Sequence, residues 1–247
     1  MLKLFKCEFK KFKKTYINSL SFLGMLIPII LVMIMFLFKK DDFMKTGSYT
    51  WDKFFMYLEQ FFVLLVGPII TSFIAVFSVF YEYQSRTMKN IVSSPHGRIS
   101  IITSKMIYVS VFVILQYVVV AAFNVLCAYL LGFEVTTHNI ISYSGQIIIA
   151  GSTTIVLIPV MMFLTLLFKN FIAGMVITVG GTISNILLMN WEKSYISPWA
   201  APIDVSAIMG GQIKDMSMSY PLISIFAYLL MFVAATLVYF KMSDQNG

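Results

Sequence analysis

From Gln60 to Tyr81 the chain reads QFFVLLVGPIITSFIAVFSVFY, from Glu82 to Lys105 EYQSRTMKNIVSSPHGRISIITSK, and from Met106 to Gly132 it runs on without a charge. The first and last of these pieces are each long enough for a helix to cross a hydrocarbon core, which takes ~20 apolar residues. The piece between them is polar and basic, and far longer than a turn between two helices requires. This alternation decides the fold class: membrane-spanning helices, joined at one surface by an elaborated loop.

The same alternation continues in both directions. Uncharged or nearly uncharged runs at 18–38, 60–81, 106–132, 145–168, 171–190 and 221–240 predict six spans. Thr136, Thr137, His138 and Asn139 make the start of the fourth run polar, so that span is expected to begin only at Gly145. The composition agrees, with 59% hydrophobic and 12% charged residues where a soluble domain carries roughly 25% charged. The expectation is an all-α polytopic membrane protein: an arm at 1–16, one six-span domain over 17–241 and a tail at 242–247. A cleaved leader is the rival reading of the first run. The basic arm and the apolar run are both long and no small-x-small site precedes Lys39, so a permanent helix is expected. Cys7 and Cys127 fall in different environments and predict no disulfide.

Orientation follows from the basic residues, because short Lys- and Arg-rich segments resist translocation. With the amino terminus inside, the inner segments hold twelve Lys and Arg against three acids, and the outer segments six against eight. Both termini and the 82–105 loop are therefore expected in the cytoplasm. The net charge of +7 belongs to that side of the membrane, and with no basic patch separate from a membrane flank, nucleic acid is not an expected partner.

In the arm, Leu2, Phe5, Phe9, Phe12 and Tyr16 recur at helical spacing, with Lys3, Lys6, Lys10 and Lys13 as a second stripe. Such a helix is expected to lie in the interface plane, its aromatics in lipid and its lysines toward anionic headgroups. Pro28, Gly67-Pro68 and Pro159 predict bends within spans. Lys169-Asn170 leaves room only for a tight hairpin between spans four and five. The connection 191–220 carries Tyr195, Pro198, Trp199, Pro202, Gly210 and Gly211. It reads as an interfacial or re-entrant segment resting on the bundle.

Several function classes are excluded or disfavoured. No Gly-x-x-x-x-Gly-Lys-Ser/Thr phosphate loop is present, so no nucleotide site of that type is expected on this chain. His96 and His138 fall on opposite sides and neither has a metal-ligand neighbour. Every Asp, Glu, Lys and Arg is expected near a span end or outside, which disfavours ion-coupled transport. Gln116, Asn124, Thr182 and Asn185 are polar at membrane depth. They fit either a substrate path or hydrogen bonds between helices.

Within the loop, Glu82 and Arg86 stand at i,i+4 with the acid first, the order that supports a helix. Met88, Ile91 and Val92 would present apolar knobs where no lipid can cover them, so a protein partner is the natural acceptor. Ser93-Ser94-Pro95-His96-Gly97 ends the pattern. The run Glu82-x-x-x-x-Thr87-Met88-x-x-Ile91, followed by Ser94-Pro95 and Arg98, resembles the segment after the second span in permeases of the type-2 ABC transporter family. Within it the resemblance is nearest to bacitracin and lantibiotic exporters, from which the chain departs at His96-Gly97. It extends over nearly the whole chain: arm, six spans, inner loop and long last outer connection.

The resemblance implies that 82–105 holds a coupling helix seated in a separate ATPase subunit, with Glu82, Arg86, Thr87, Met88, Asn90 and Ile91 in contact. It further implies two ATPase copies that carry ATP and Mg, and a second permease copy or a related permease. The setting it implies is a bacterial plasma membrane. The cargo would be an amphipathic peptide such as bacitracin or a lantibiotic, with lipid or another amphipathic small molecule as the alternative. A non-transporting anchor or sensor partner is the rival of another class.

Overall fold

A computed structural model describes residues 2–87, 97–188 and 191–242. The described residues form helices and no strand: α1 (Leu2–Lys14), α2 (Ile17–Phe38), α3 (Lys40–Lys45), α4 (Trp51–Phe61), α5 (Gly67–Gln84), α6 (Arg98–Leu130), α7 (Thr137–Thr154), α8 (Leu157–Phe168), α9 (Phe171–Leu188), α10 (Ala201–Met209) and α11 (Ser219–Met242). Among the described residues, six helices or joined helix pairs are long and apolar enough to cross a membrane: Ile17–Phe38, Trp51–Gln84, Arg98–Leu130, Thr137–Phe168, Phe171–Leu188 and Ser219–Met242.

Each of the six expected runs falls on one of these helices, and three of the helices start eight or nine residues before the run does. Span two begins at Trp51, where the Thr50 side chain accepts from the Lys53 amide. Span three begins at Arg98, just after Gly97. Span four begins at Thr137 rather than Gly145, because Thr136, read as part of a polar lead-in, caps the helix by accepting from the Asn139 amide at 3.3 Å. Hydropathy marks where lipid lies, whereas backbone hydrogen bonding carries a helix past that boundary until a cap ends it.

Irregular backbone precedes Pro68 and Pro159, whereas Pro28 lies within the continuous α2. In span two a π-helical turn, Phe62–Val66, precedes Gly67-Pro68. Proline has no N–H for the ladder and its ring crowds the carbonyl four residues back. In span four the helix breaks at Ile155-Val156, four and three residues before Pro159. Spans four and five meet in the expected hairpin, with Lys169 left-handed at φ 50 and Asn170 Oδ1 accepting from the Ile172 amide at 2.8 Å.

The centre of the bundle is built around Tyr117 of α6, which is fully buried. Its ring meets Phe62 edge-on at 5.0 Å, and its hydroxyl lies 3.3 Å from Thr154 Oγ1. Gly67 and Gly151 have no Cβ because that atom would enter the tyrosine. Span four is 67% buried over its most apolar window and the last span only 6%. The apolar faces of spans one, five and six therefore point out of the bundle, as surfaces for lipid or another chain do.

At one end of the bundle α1 packs against α6, and Arg98 Nη1 donates to the Lys241 carbonyl at 3.1 Å. At the other end, 194–209 folds back onto the helices, with Ala200, Ala201 and Val205 buried and α10 against α7. The arm corrects one expectation. Phe12, expected in lipid, is buried against Tyr108 at 4.8 Å and Phe77 at 6.1 Å. Phe5 packs edge-on to Tyr108. Phe9, Lys6 and Lys10 are exposed, and the side chain of Lys13 lies outside the described residues. One helix face cannot both seal the bundle and enter the bilayer, and the protein contact takes Phe12.

Candidate functional site

Glu82, in the last turn of α5, is 3% exposed. Its Oε1 accepts from Lys105 Nζ at 2.7 Å and from Lys11 Nζ, and its Oε2 from the Thr87 hydroxyl at 2.6 Å. Lys105, two turns into α6 and equally buried, also donates to Glu8 Oε1 at 2.8 Å. Two carboxylates and two ammonium groups thus meet where α1, α5 and α6 converge. The cluster is neutral overall, which is the condition for burying it, since an unpaired charge there would cost several kcal/mol. Burial and then repulsion from Lys105 pull the Lys11 ammonium below its ordinary value, against the opposing pull of Glu8 and Glu82. The Lys11 ammonium also sits 4.8 Å above the Tyr81 ring.

Past Glu82 the helix ends in a left-handed cap. Arg86 has φ 54, its amide donates to the Tyr83 carbonyl at 3.1 Å, and the Thr87 amide donates to the Glu82 carbonyl at 3.1 Å. These are the two bonds of a Schellman ending, with Arg86 where glycine is usual. Two expectations change here. Glu82 and Arg86 do not form an i,i+4 pair, because Arg86 has left the helix. Glu82 turns into the bundle and is not presented to a partner. Arg86 is exposed and Thr87 half-exposed at the loop's edge. Met88, Asn90 and Ile91 lie outside the described residues.

The four polar residues expected at membrane depth are buried in separate places. Gln116 donates to Ser21 Oγ at 2.8 Å and Asn124 accepts from Trp51 Nε1 at 3.5 Å. Asn185 donates to the Trp199 carbonyl at 3.2 Å, and Thr182 to Thr178 of its own helix at 2.8 Å. Three of the four therefore tie elements together.

A second polar site lies at the opposite end. Glu59, which the apolar run placed just outside span two, is buried in it and accepts from Ser206 and, at 3.1 Å, from Gln212. With Val63, Leu64 and Asp204 these residues line a cavity of about 150 Å³. Burial raises the Asp204 carboxyl to about 6, with the Ser194 hydroxyl at 2.8 Å opposing. Glu59 therefore lies within the helix of span two, near the end that meets the 194–212 segment. Among the described residues no group of three or more His, Cys, Asp or Glu gathers as a metal site.

The charged partners of Glu82, Lys11 and Lys105, lie 71 and 23 residues away in sequence. One sign was available: Glu8 is the sole acid among the first forty residues, set among lysines.

A family model described as "ABC-2 family transporter protein" matches residues 4–185. The chain is also similar to the bacitracin transport permease protein BCRB of Bacillus licheniformis. The two are 28% identical over 185 residues, which are 74% of this chain and 88% of that protein.

Proposed function

This chain belongs to the ABC-2 transporter family, and from that premise we propose that it is the permease subunit of an ATP-driven exporter moving bacitracin-like or other amphipathic peptides out of the cell or its membrane. The observation that carries the cargo assignment is the similarity to a bacitracin transport permease over most of both chains. ATP and Mg are held by a separate ATPase, since the chain has no phosphate-loop motif.

Two permease copies work with two ATPase copies in a bacterial plasma membrane, both termini cytoplasmic. The 82–105 segment is the coupling element, contacting the ATPase through Arg86, Thr87, Met88, Asn90 and Ile91. ATP-driven closure of the ATPases draws the paired segments together, and the permease bundles rock between arrangements. Phe9, Lys6 and Lys10 face the inner interface, and the 191–220 segment rests at the outer one.

The test compares bacitracin sensitivity in cells lacking the chain, cells carrying it and cells carrying Ile91→Asp, with pull-down of the ATPase. We expect the wild type to raise the tolerated concentration, and Ile91→Asp to lose both resistance and ATPase. Full resistance with intact association in the variant would sink the coupling assignment. Unchanged sensitivity to bacitracin with changed tolerance of another amphipathic compound would move the cargo away from peptide.

A further inference from the structure

We propose that the buried charge cluster is a mechanical link, in which Glu82 and Lys105 bind the arm helix α1, through Lys11 and Glu8, to both roots of the 82–105 loop. Arm and loop then move as one body. The inference rests on the reading of the chain as an ATPase-coupled permease, and goes beyond it by making the arm part of the transmission.

The geometry that carries it is the convergence of three segments on one carboxylate. Glu82 stands on the helix entering the loop and Lys105 on the helix leaving it, and their contact at 2.7 Å clamps the two helices together beside the loop. Lys11 reaches the same oxygen from the arm, and Glu8 reaches Lys105 at 2.8 Å. The second Glu82 oxygen holds the hydroxyl of Thr87, the last described residue before the loop. A displacement of the loop root therefore pulls directly on two arm residues one helical turn apart.

Stability alone does not account for ions here. Apolar side chains of similar volume usually stabilise a buried site as well or better, whereas paired charges specify one arrangement of the elements that carry them. The arm's aromatic contacts through Phe5 and Phe12 fall on Tyr108 and Phe77, so they hold α1 to the bundle. At the loop root the arm is held through charged groups, Lys11 to Glu82 and over the Tyr81 ring and Glu8 to Lys105. Glu8, Lys11, Glu82 and Lys105 are accordingly positioning residues.

Cys7 allows a direct test, since it is exposed on the arm while Cys127 is buried. The purified complex of permease and co-purifying ATPase, in nanodiscs, is labelled at Cys7 with an environment-sensitive fluorophore and given Mg-ATP and bacitracin. The wild type should show an ATP-dependent signal. Lys11→Met and Glu8→Gln should keep the ATPase bound yet lose most of that signal, with bacitracin-stimulated ATP turnover down about tenfold, a coupling change of ordinary size. Lys11→Arg, which restores the cation, should recover both. An unchanged Cys7 signal in both neutralising variants overturns the link. So does a wild type that transports with no Cys7 signal, a result that needs no variant to fold. If no ATPase co-purifies with the wild type, the coupled-permease reading itself falls, and the link with it.

Discussion

Glu82 shows how one side chain can be legible in kind and illegible in role. Its place at the end of a span, five residues before Thr87, marks it as part of the loop, and a carboxylate there suggests an exposed contact. The structure turns it inward because Lys105 and Lys11 are near enough to neutralise it, and a buried pair is stable only while both partners remain. Asp204 is the contrasting case, a buried carboxylate satisfied by a hydroxyl alone. Burial raises it from 3.8 to about 6, so the folded state holds its proton more tightly than the unfolded chain does. Stability from this group is then greatest below its unfolded value and is lost as pH rises through about 6. Thermal unfolding in detergent should show the wild type gaining stability on acidification from pH 7 to 5 relative to Asp204→Asn. Parallel curves for the two proteins would remove the assignment.

At the scale of elements, the contact of spans two, three and four depends on Tyr117 filling the space left by two glycines. A methyl group at Gly151 would enter the ring, and the backbone of α7 would have to move away from α6. Overpacking of this kind costs about 1–3 kcal/mol. Gly151→Ala should therefore lower the thermal midpoint measurably, whereas Gly145→Ala, on the same helix with nothing within 4 Å, should not. Equal midpoints for the two variants would contradict the packing. The π-helical turn before Pro68 and the break before Pro159 belong to the same region. Both relieve a missing N–H by reshaping backbone that neighbouring helices then cover.

For the whole molecule, an even number of spans puts the arm and the last helix at one end, where Arg98 reaches the Lys241 carbonyl. The charge balance leads us to expect that end in the cytoplasm. A membrane-impermeant maleimide should therefore fail to label Cys7 in intact cells and label it once the membrane is opened. Labelling in intact cells would invert the topology and put the proposed coupling loop on the wrong side for any ATPase. The exposed apolar faces of spans one, five and six leave room for both lipid and the second permease copy proposed above.

The sequence by itself determined the six spans, the hairpin at Lys169-Asn170 and the charge asymmetry between the two sides. These depend on the length of apolar runs and the placement of charge and turn residues, which are local properties that a bilayer reads one segment at a time. It set 82–105 apart as a polar loop, of which the structure places 98–105 in α6. Only the tertiary structure decided that Phe12 seals the bundle, that Arg86 leaves the helix, that Glu59 is buried, and that Gln116, Asn124 and Asn185 join elements. It alone brought Glu8, Lys11, Glu82 and Lys105 together. Those outcomes depend on partners up to 153 residues apart, and periodicity shows which face a residue occupies without showing what comes to meet it.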